Sequence, residues 1–112
     1  MTELMEDVME KSIEAYYKKL DNYYDSDERL IQYPSKRPMR IIALIKITEQ
    51  IDANKKYTEK EINEIIRLNI AFDDIELIRR EMYQYNFLGR LRDGSEYWVE
   101  TDWRNAYAEY IR

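Results

Sequence analysis

The stretch that decides the fold runs from Tyr57 to Trp98. It opens Tyr57-Thr58-Glu59-Lys60-Glu61-Ile62-Asn63, continues as an apolar helical run, and restarts at Asp73-Asp74 with a second helix carrying Arg79-Arg80. That helix leads into Phe87-Leu88-Gly89-Arg90-Leu91-Arg92, an Asp93-Gly94 turn, and Ser95-Glu96-Tyr97-Trp98. Two short capped helices followed directly by a tight β-hairpin is the element order of a winged helix-turn-helix.

Each step in that stretch has a local cause. Thr58-x-x-Glu61 is a capping box, in which the threonine hydroxyl accepts the backbone N–H three residues on and the glutamate reaches back. Tyr57, just before it, serves as a single strand residue or as a hydrophobic staple. The helix buries Ile62, Ile65 and Ile66 and ends near Asn69. Phe72 then plugs the turn, and Asp73 or Asp74 caps the next helix. In that second helix Ile75, Ile78, Met82 and Tyr85 face the core. At 100° per residue this leaves Asp73, Glu76, Arg80, Tyr83 and Gln84 outward, with Leu77 and Arg79 on the flanks. Asn86 is the expected C′ residue, because asparagine tolerates the left-handed backbone that glycine usually supplies there. A two-residue Asp93-Gly94 turn of type I′ sets a register of Leu88 with Val99, Gly89 with Trp98 and Arg90 with Tyr97. The indole of Trp98 is placed to cover the bare glycine.

Upstream, Tyr33-Pro34-Ser35-Lys36-Arg37-Pro38 is an extended entry, and Pro38 suits the first turn of the helix that follows. That helix presents Ile41, Leu44, Ile45, Thr48 and Ile51 on one face, with Ile42 and Ile47 on its shoulders. Asp21 to Gln32 reads as a charged linker. Before it, from Leu4 to Tyr24, Met5, Met9, Ile13, Tyr16, Leu20 and Tyr23 recur at helical spacing. The stripe serves either to pack this arm on its own domain or to pair it with a second copy. We expect a homodimer through this N-terminal helix. Its polar face carries Glu6, Asp7, Glu10 and Glu14, the wrong charge for a lipid surface. At the other end, Thr101-Asp102-Trp103-Arg104-Asn105 reads as a short capped helix that turns Trp103, Ala106, Tyr107 and Tyr110 towards the protein. The expected fold is therefore mainly α with a β-hairpin wing: a helical arm and linker over 1–29, a winged helix-turn-helix over 30–100, and a packed C-terminal helix over 101–112.

Bulk properties narrow the function. The 112 residues, 45% hydrophobic and 37% charged, suit one folded domain with a modest core. There is no cysteine and no histidine, which removes disulfides, thiolate metal sites, the commonest metal ligand and the commonest general base. With no glycine-rich phosphate loop and no nucleophile elbow, we expect no enzyme and no cofactor. No signal peptide or apolar span is legible, so a cytoplasmic protein with no membrane role is expected. The net charge of −5 is unevenly spread, at −5 over residues 1–29, +3 over 30–92 and −3 over 93–112. Only the middle segment suits a polyanion.

The residues Tyr33-Pro34-Ser35-Lys36, Tyr57-Thr58-Glu59-Lys60-Glu61-Ile62-Asn63, Asp74, Arg79-Arg80-Glu81-Met82, Arg90, Asp93-Gly94-Ser95 and Tyr97-Trp98 resemble a bacterial family of small domains of unknown function, the one numbered 2087. The resemblance covers about residues 33–98. That family occurs alone and joined to helix-turn-helix regulators, and the resemblance implies a role in transcription regulation. Its pattern has glycine where Asn86 stands here.

The expected partner is double-stranded DNA. The second helix of the deciding stretch occupies the recognition position, where Arg80 can read guanine and Gln84 adenine, with Tyr83 beside them. Arg90 and Arg92 on the wing can hold phosphates. Lys36 and Arg37, with Arg40, form a small basic cluster that is either a further contact or a solvated face. Against this, Asp73, Asp74 and Glu76 crowd the leading turn of the helix, where they would repel phosphates. Glu76 can also pair with Arg80, and Arg79 can fold over the hairpin or bind Asp74 or Asp93. The alternative is a non-catalytic protein-interaction or self-association module on the same scaffold.

Overall fold

One helix is buried on nearly every side, and the other elements are arranged around it. In the computed structural model, which describes residues 13–111, helix α2 (Arg37–Thr48) buries Met39, Ile41, Ile42, Ala43, Leu44, Ile45, Ile47 and Thr48. Pro38 stands in its first turn, where no backbone N–H is needed. Its single buried hydroxyl, on Thr48, donates to the Leu44 carbonyl at 2.7 Å, so this polar group is satisfied within the core.

Helix α1, described over residues 13–20, lays Tyr17 and Leu20 on that core. The Tyr17 hydroxyl donates to the Tyr110 carbonyl, which ties this helix to the C-terminal segment. The readings that concern Met5, Val8, Met9 and the acidic face up to Glu10 lie outside the described residues. A 3-10 turn, Asp21–Tyr23, follows. The charged stretch after it is a tight turn: the Asp25 carboxylate accepts from the amides of Asp27 and Arg29, both at 2.9 Å. Glu28 takes a left-handed backbone there (φ 61°). Leu30, fully buried, then bridges both Tyr24 and Ile70.

Helices α3 (Glu59–Asn69) and α4 (Ile75–Gln84) are the helix pair anticipated from the caps. The capping box is complete: Glu61 N–H donates to Thr58 Oγ1 at 3.2 Å, and Thr58 N–H to the Glu61 carboxylate at 2.9 Å. Asp74 caps α4 by accepting from the Leu77 amide. The pair buries Ile62, Ile66, Ile78 and Met82 completely. Helix α4 ends in a Schellman motif: Phe87 N–H donates to the Met82 carbonyl and Asn86 N–H to that of Tyr83, with Asn86 left-handed at φ 63°.

The hairpin consists of β1 (Leu88–Arg90) and β2 (Tyr97–Val99), antiparallel, with Leu88 opposite Val99, Gly89 opposite Trp98 and Arg90 opposite Tyr97. Tyr57 adds one strand residue to its open edge, exchanging both backbone hydrogen bonds with Tyr97 at 2.8 and 2.7 Å. The indole of Trp98 lies on Gly89 so closely that a Cβ there would sit 2.2 Å from its Nε1. The turn differs from the expected type I′. Gly94 N–H donates to the Leu91 carbonyl, and only Gly94 has positive φ, whereas type I′ needs both central residues left-handed. The reason is Asp93, whose carboxylate accepts from the Ser95 amide and hydroxyl at 3.0 and 2.7 Å. That local bond holds Asp93 in a right-handed turn while leaving the register unchanged.

Helix α5 (Trp103–Ala106) follows the hairpin and packs on Phe87, the residue before β1. The expected cap is absent, since Asp102 makes no side-chain bond to the helix. Rings hold the helix instead: Trp103 meets Phe87 edge-on at 5.6 Å and Tyr107 stacks on Phe87 at 4.8 Å. No helix among the described residues is long and apolar enough to cross a membrane. The architecture, mainly helical with a two-stranded hairpin after a helix pair, is compatible with a winged-helix-like arrangement.

Candidate functional site

The outer faces of α3, α4 and the hairpin enclose a groove of about 330 Å³ lined by Glu59, Glu76, Arg79, Arg80, Tyr83, Gln84, Arg90 and Tyr97. Helical periodicity puts Glu76, Arg80, Tyr83 and Gln84 of α4 there, with Arg79 beside them, because Ile78 and Met82 turn the opposite face into the core. The hairpin register adds Arg90, and the Tyr57 bridge holds Tyr97 against the start of α3.

Two kinds of residue share the groove. Its inner wall is cross-linked: Arg79 donates to Asn63 Oδ1 and pairs with Glu59 at 3.5 Å, and the Tyr97 hydroxyl donates to the same Glu59 carboxylate at 3.1 Å. This network joins α3, α4 and β2. Arg79 thus binds α3, and neither Asp74 nor Asp93 is its partner. The Arg79 side chain is only 14% exposed while that of Glu59 is 48% exposed, so the arginine is the anchored member and the glutamate the solvent-facing one.

The outer rim is unencumbered. Arg80, Tyr83 and Gln84 are exposed, and the expected Glu76–Arg80 ion pair is not formed. Arg90 holds its guanidinium over the Tyr83 ring. Arg92 stands exposed at the hairpin tip, beyond the groove. Lys36 and Arg37 do not join this face. Lys36 borders a shallow depression with Lys19, Asn22 and Met39, and Arg37 lies 5.4 Å over the Tyr85 ring. Tyr85 points away from Tyr83 by about 200° of helix rotation.

The sequence reading missed Glu59 and Tyr97 as groove residues and placed Arg79 only on a flank. Of the three, only Tyr97 had a legible signal, through its register opposite Arg90. It also missed a second cross-link behind α4. There Arg40 donates from Nε to the Pro34 carbonyl at 2.6 Å and from Nη1 to Glu81 at 3.2 Å, and stacks 4.7 Å over the Tyr33 ring. The Tyr33 hydroxyl donates to the same Glu81 carboxylate. Burial, reinforced by that carboxylate, pushes the Tyr33 phenol well above its ordinary value.

Local bonds lower the pKa of two exposed carboxylates outside the groove lining. Backbone and hydroxyl bonds to Thr58 lower Glu61, and the Ser95 hydroxyl and amide lower Asp93. Among the described residues no group of acidic side chains is arranged to hold a metal ion.

The fold and groove define a small hairpin-bearing helical domain with one groove of mixed charge on the outer side of its helix pair. The chain belongs to the family described as "uncharacterized protein conserved in bacteria" (DUF2087), whose model matches residues 29–99. No curated protein and no solved structure gives a match.

Proposed function

We propose that this protein is a winged helix-turn-helix module that binds duplex DNA, with α4 as the recognition helix and the hairpin as the wing. The observation that carries this reading is Arg80, exposed and without an ion pair among the described residues, on the same groove as Tyr83, Gln84 and Arg90. With Arg92 at the hairpin tip, the cations lie along the C-terminal half of α4 and the wing. The acids Asp73 and Asp74 lie at the opposite end of that helix, and Asp74 is engaged as its cap. Transcription regulation is the role that fits such a module.

A protein-interaction module is the second reading, favoured by that acidic leading turn and by a net charge of −5. Anisotropy titration of labelled duplex DNA at about 50 and 200 mM salt decides between them, because phosphate contacts make affinity fall steeply with salt. Absence of binding at the lower salt refutes the DNA reading. The module also acts as a homodimer through its N-terminal helix. Deletion of residues 1–12 spares the buried Tyr17 and Leu20, and a dimer whose mass in solution survives that deletion refutes pairing through the removed segment.

A further inference from the structure

Along α4, Glu76, Arg80 and Gln84 stand at i, i+4 and i+8, all exposed and all lining the same groove. Four residues rise about 6 Å and turn about 400°, so the three side chains form one ridge. They are chemically distinct: a carboxylate only accepts, a guanidinium only donates, and a carboxamide does both. Among the described residues neither Glu76 nor Arg80 is engaged in an ion pair, even though Glu at i and Arg at i+4 is the favourable order for pairing on a helix.

We propose that Glu76, Arg80 and Gln84 are a base-reading ridge, each specifying one base pair in the major groove. This rests on the DNA-binding reading above and deepens it. Glu76 accepts from the N4 amino group of cytosine, Arg80 donates to O6 and N7 of guanine, and Gln84 bonds N6 and N7 of adenine. Successive members are about 6 Å apart, roughly two base-pair steps of 3.4 Å. The preferred duplex therefore carries a cytosine, a guanine and an adenine at about that spacing. The ridge gives the acid of the leading turn a role: over phosphate Glu76 is repelled, whereas over a cytosine amino group it is the acceptor that completes the set.

The test is selection of duplexes from a random pool at about 50 mM salt, with the full chain and with Glu76→Ala, Arg80→Ala and Gln84→Ala. All three positions are exposed, so the variants keep the core. The expected result is a short motif in which each variant relaxes only its own base, by roughly 5- to 150-fold. Retention of DNA without sequence preference overturns the ridge and leaves DNA binding standing. A motif that survives all three substitutions overturns it too, since the preference then arises elsewhere. No retention of any duplex overturns the ridge and the DNA-binding reading together.

Discussion

Arg90 of the hairpin holds its guanidinium 4.8 Å above the ring of Tyr83 on α4, so the strand and the helix of the groove are joined by a cation on an aromatic face. The contact fixes where the Arg90 guanidinium stands beside Tyr83 in the lining of the groove. Because both partners are exposed, its contribution to folding is about 0.5–1 kcal/mol.

Tyr83→Ala is therefore expected to cost no more than about 1 kcal/mol in urea denaturation. On the DNA-binding reading proposed above, it should also weaken duplex binding several-fold by releasing Arg90. Tyr83→Phe keeps the ring and should bind as the parent does. A Tyr83→Phe protein as weak as Tyr83→Ala would show that the hydroxyl matters and the stacked guanidinium does not.

Arg79 is predicted to matter for stability. It links Asn63 and Glu59 on α3 to α4 from a nearly buried position, so Arg79→Ala leaves the Asn63 amide oxygen without its donor. A loss of about 1–3 kcal/mol is expected. In a double-mutant cycle, Arg79→Ala and Asn63→Ala should be non-additive by at least about 0.5 kcal/mol. Additive losses would mean that the two side chains do not act on each other.

The left-handed Asn86 gives a prediction with two signs. At φ 63° glycine meets no Cβ penalty, while alanine meets it without the local hydrogen bonding that helps asparagine. Asn86→Ala should destabilise by about 1–2 kcal/mol, and Asn86→Gly should lie within about 0.5 kcal/mol of the parent. Thermal unfolding of the two variants measures both, and equal losses would contradict the backbone account. Gly89 sets the opposite kind of limit. A methyl group there meets the Trp98 indole at 2.2 Å, so Gly89→Ala should cost about 1–3 kcal/mol, and Trp98→Ala should relieve part of that cost.

These positions show which features were legible in the sequence. The Thr58–Glu61 box, the Asp74 cap, Asn86 and the hairpin register are settled within a few residues of chain, so local rules predict them. The type of the hairpin turn was misread because Asp93 had two local options, a left-handed backbone or an acceptor bond to Ser95, and the second won. Arg79's partners lie 16 and 20 positions back, and the Tyr33–Arg40–Glu81 cross-link spans 48 residues. Such contacts depend on how helices dock, which periodicity does not encode. The same division runs through the groove. Arg80, Tyr83, Gln84 and Arg90 met there because one helix face and one strand register place them. Lys36 and Arg37, grouped with them only by charge, are carried to another surface by α2.

Tyr24 buries its hydroxyl with no hydrogen-bond partner among the described residues, beneath Lys46, whose ammonium lies 4.7 Å over its ring. Burial, with the Asp21 carboxylate adding to it, raises this phenol well above its ordinary value of 10.0. A raised tyrosine contributes fully below the unfolded pKa near 10, and its contribution is lost as pH rises beyond that, because only the unfolded chain ionises freely. Removing an unsatisfied buried hydroxyl is neutral or favourable. Tyr24→Phe should thus be as stable as the parent at pH 7, or up to about 1 kcal/mol more so, and should lose less stability between about pH 10 and 11. Alkaline loss that persists in the variant is shared by Tyr33, Tyr107 and Tyr110, which burial raises in the same direction. Urea denaturation at the two pH values measures the difference, and a Tyr24→Phe protein clearly less stable at pH 7 would mean that the hydroxyl has a partner in solution.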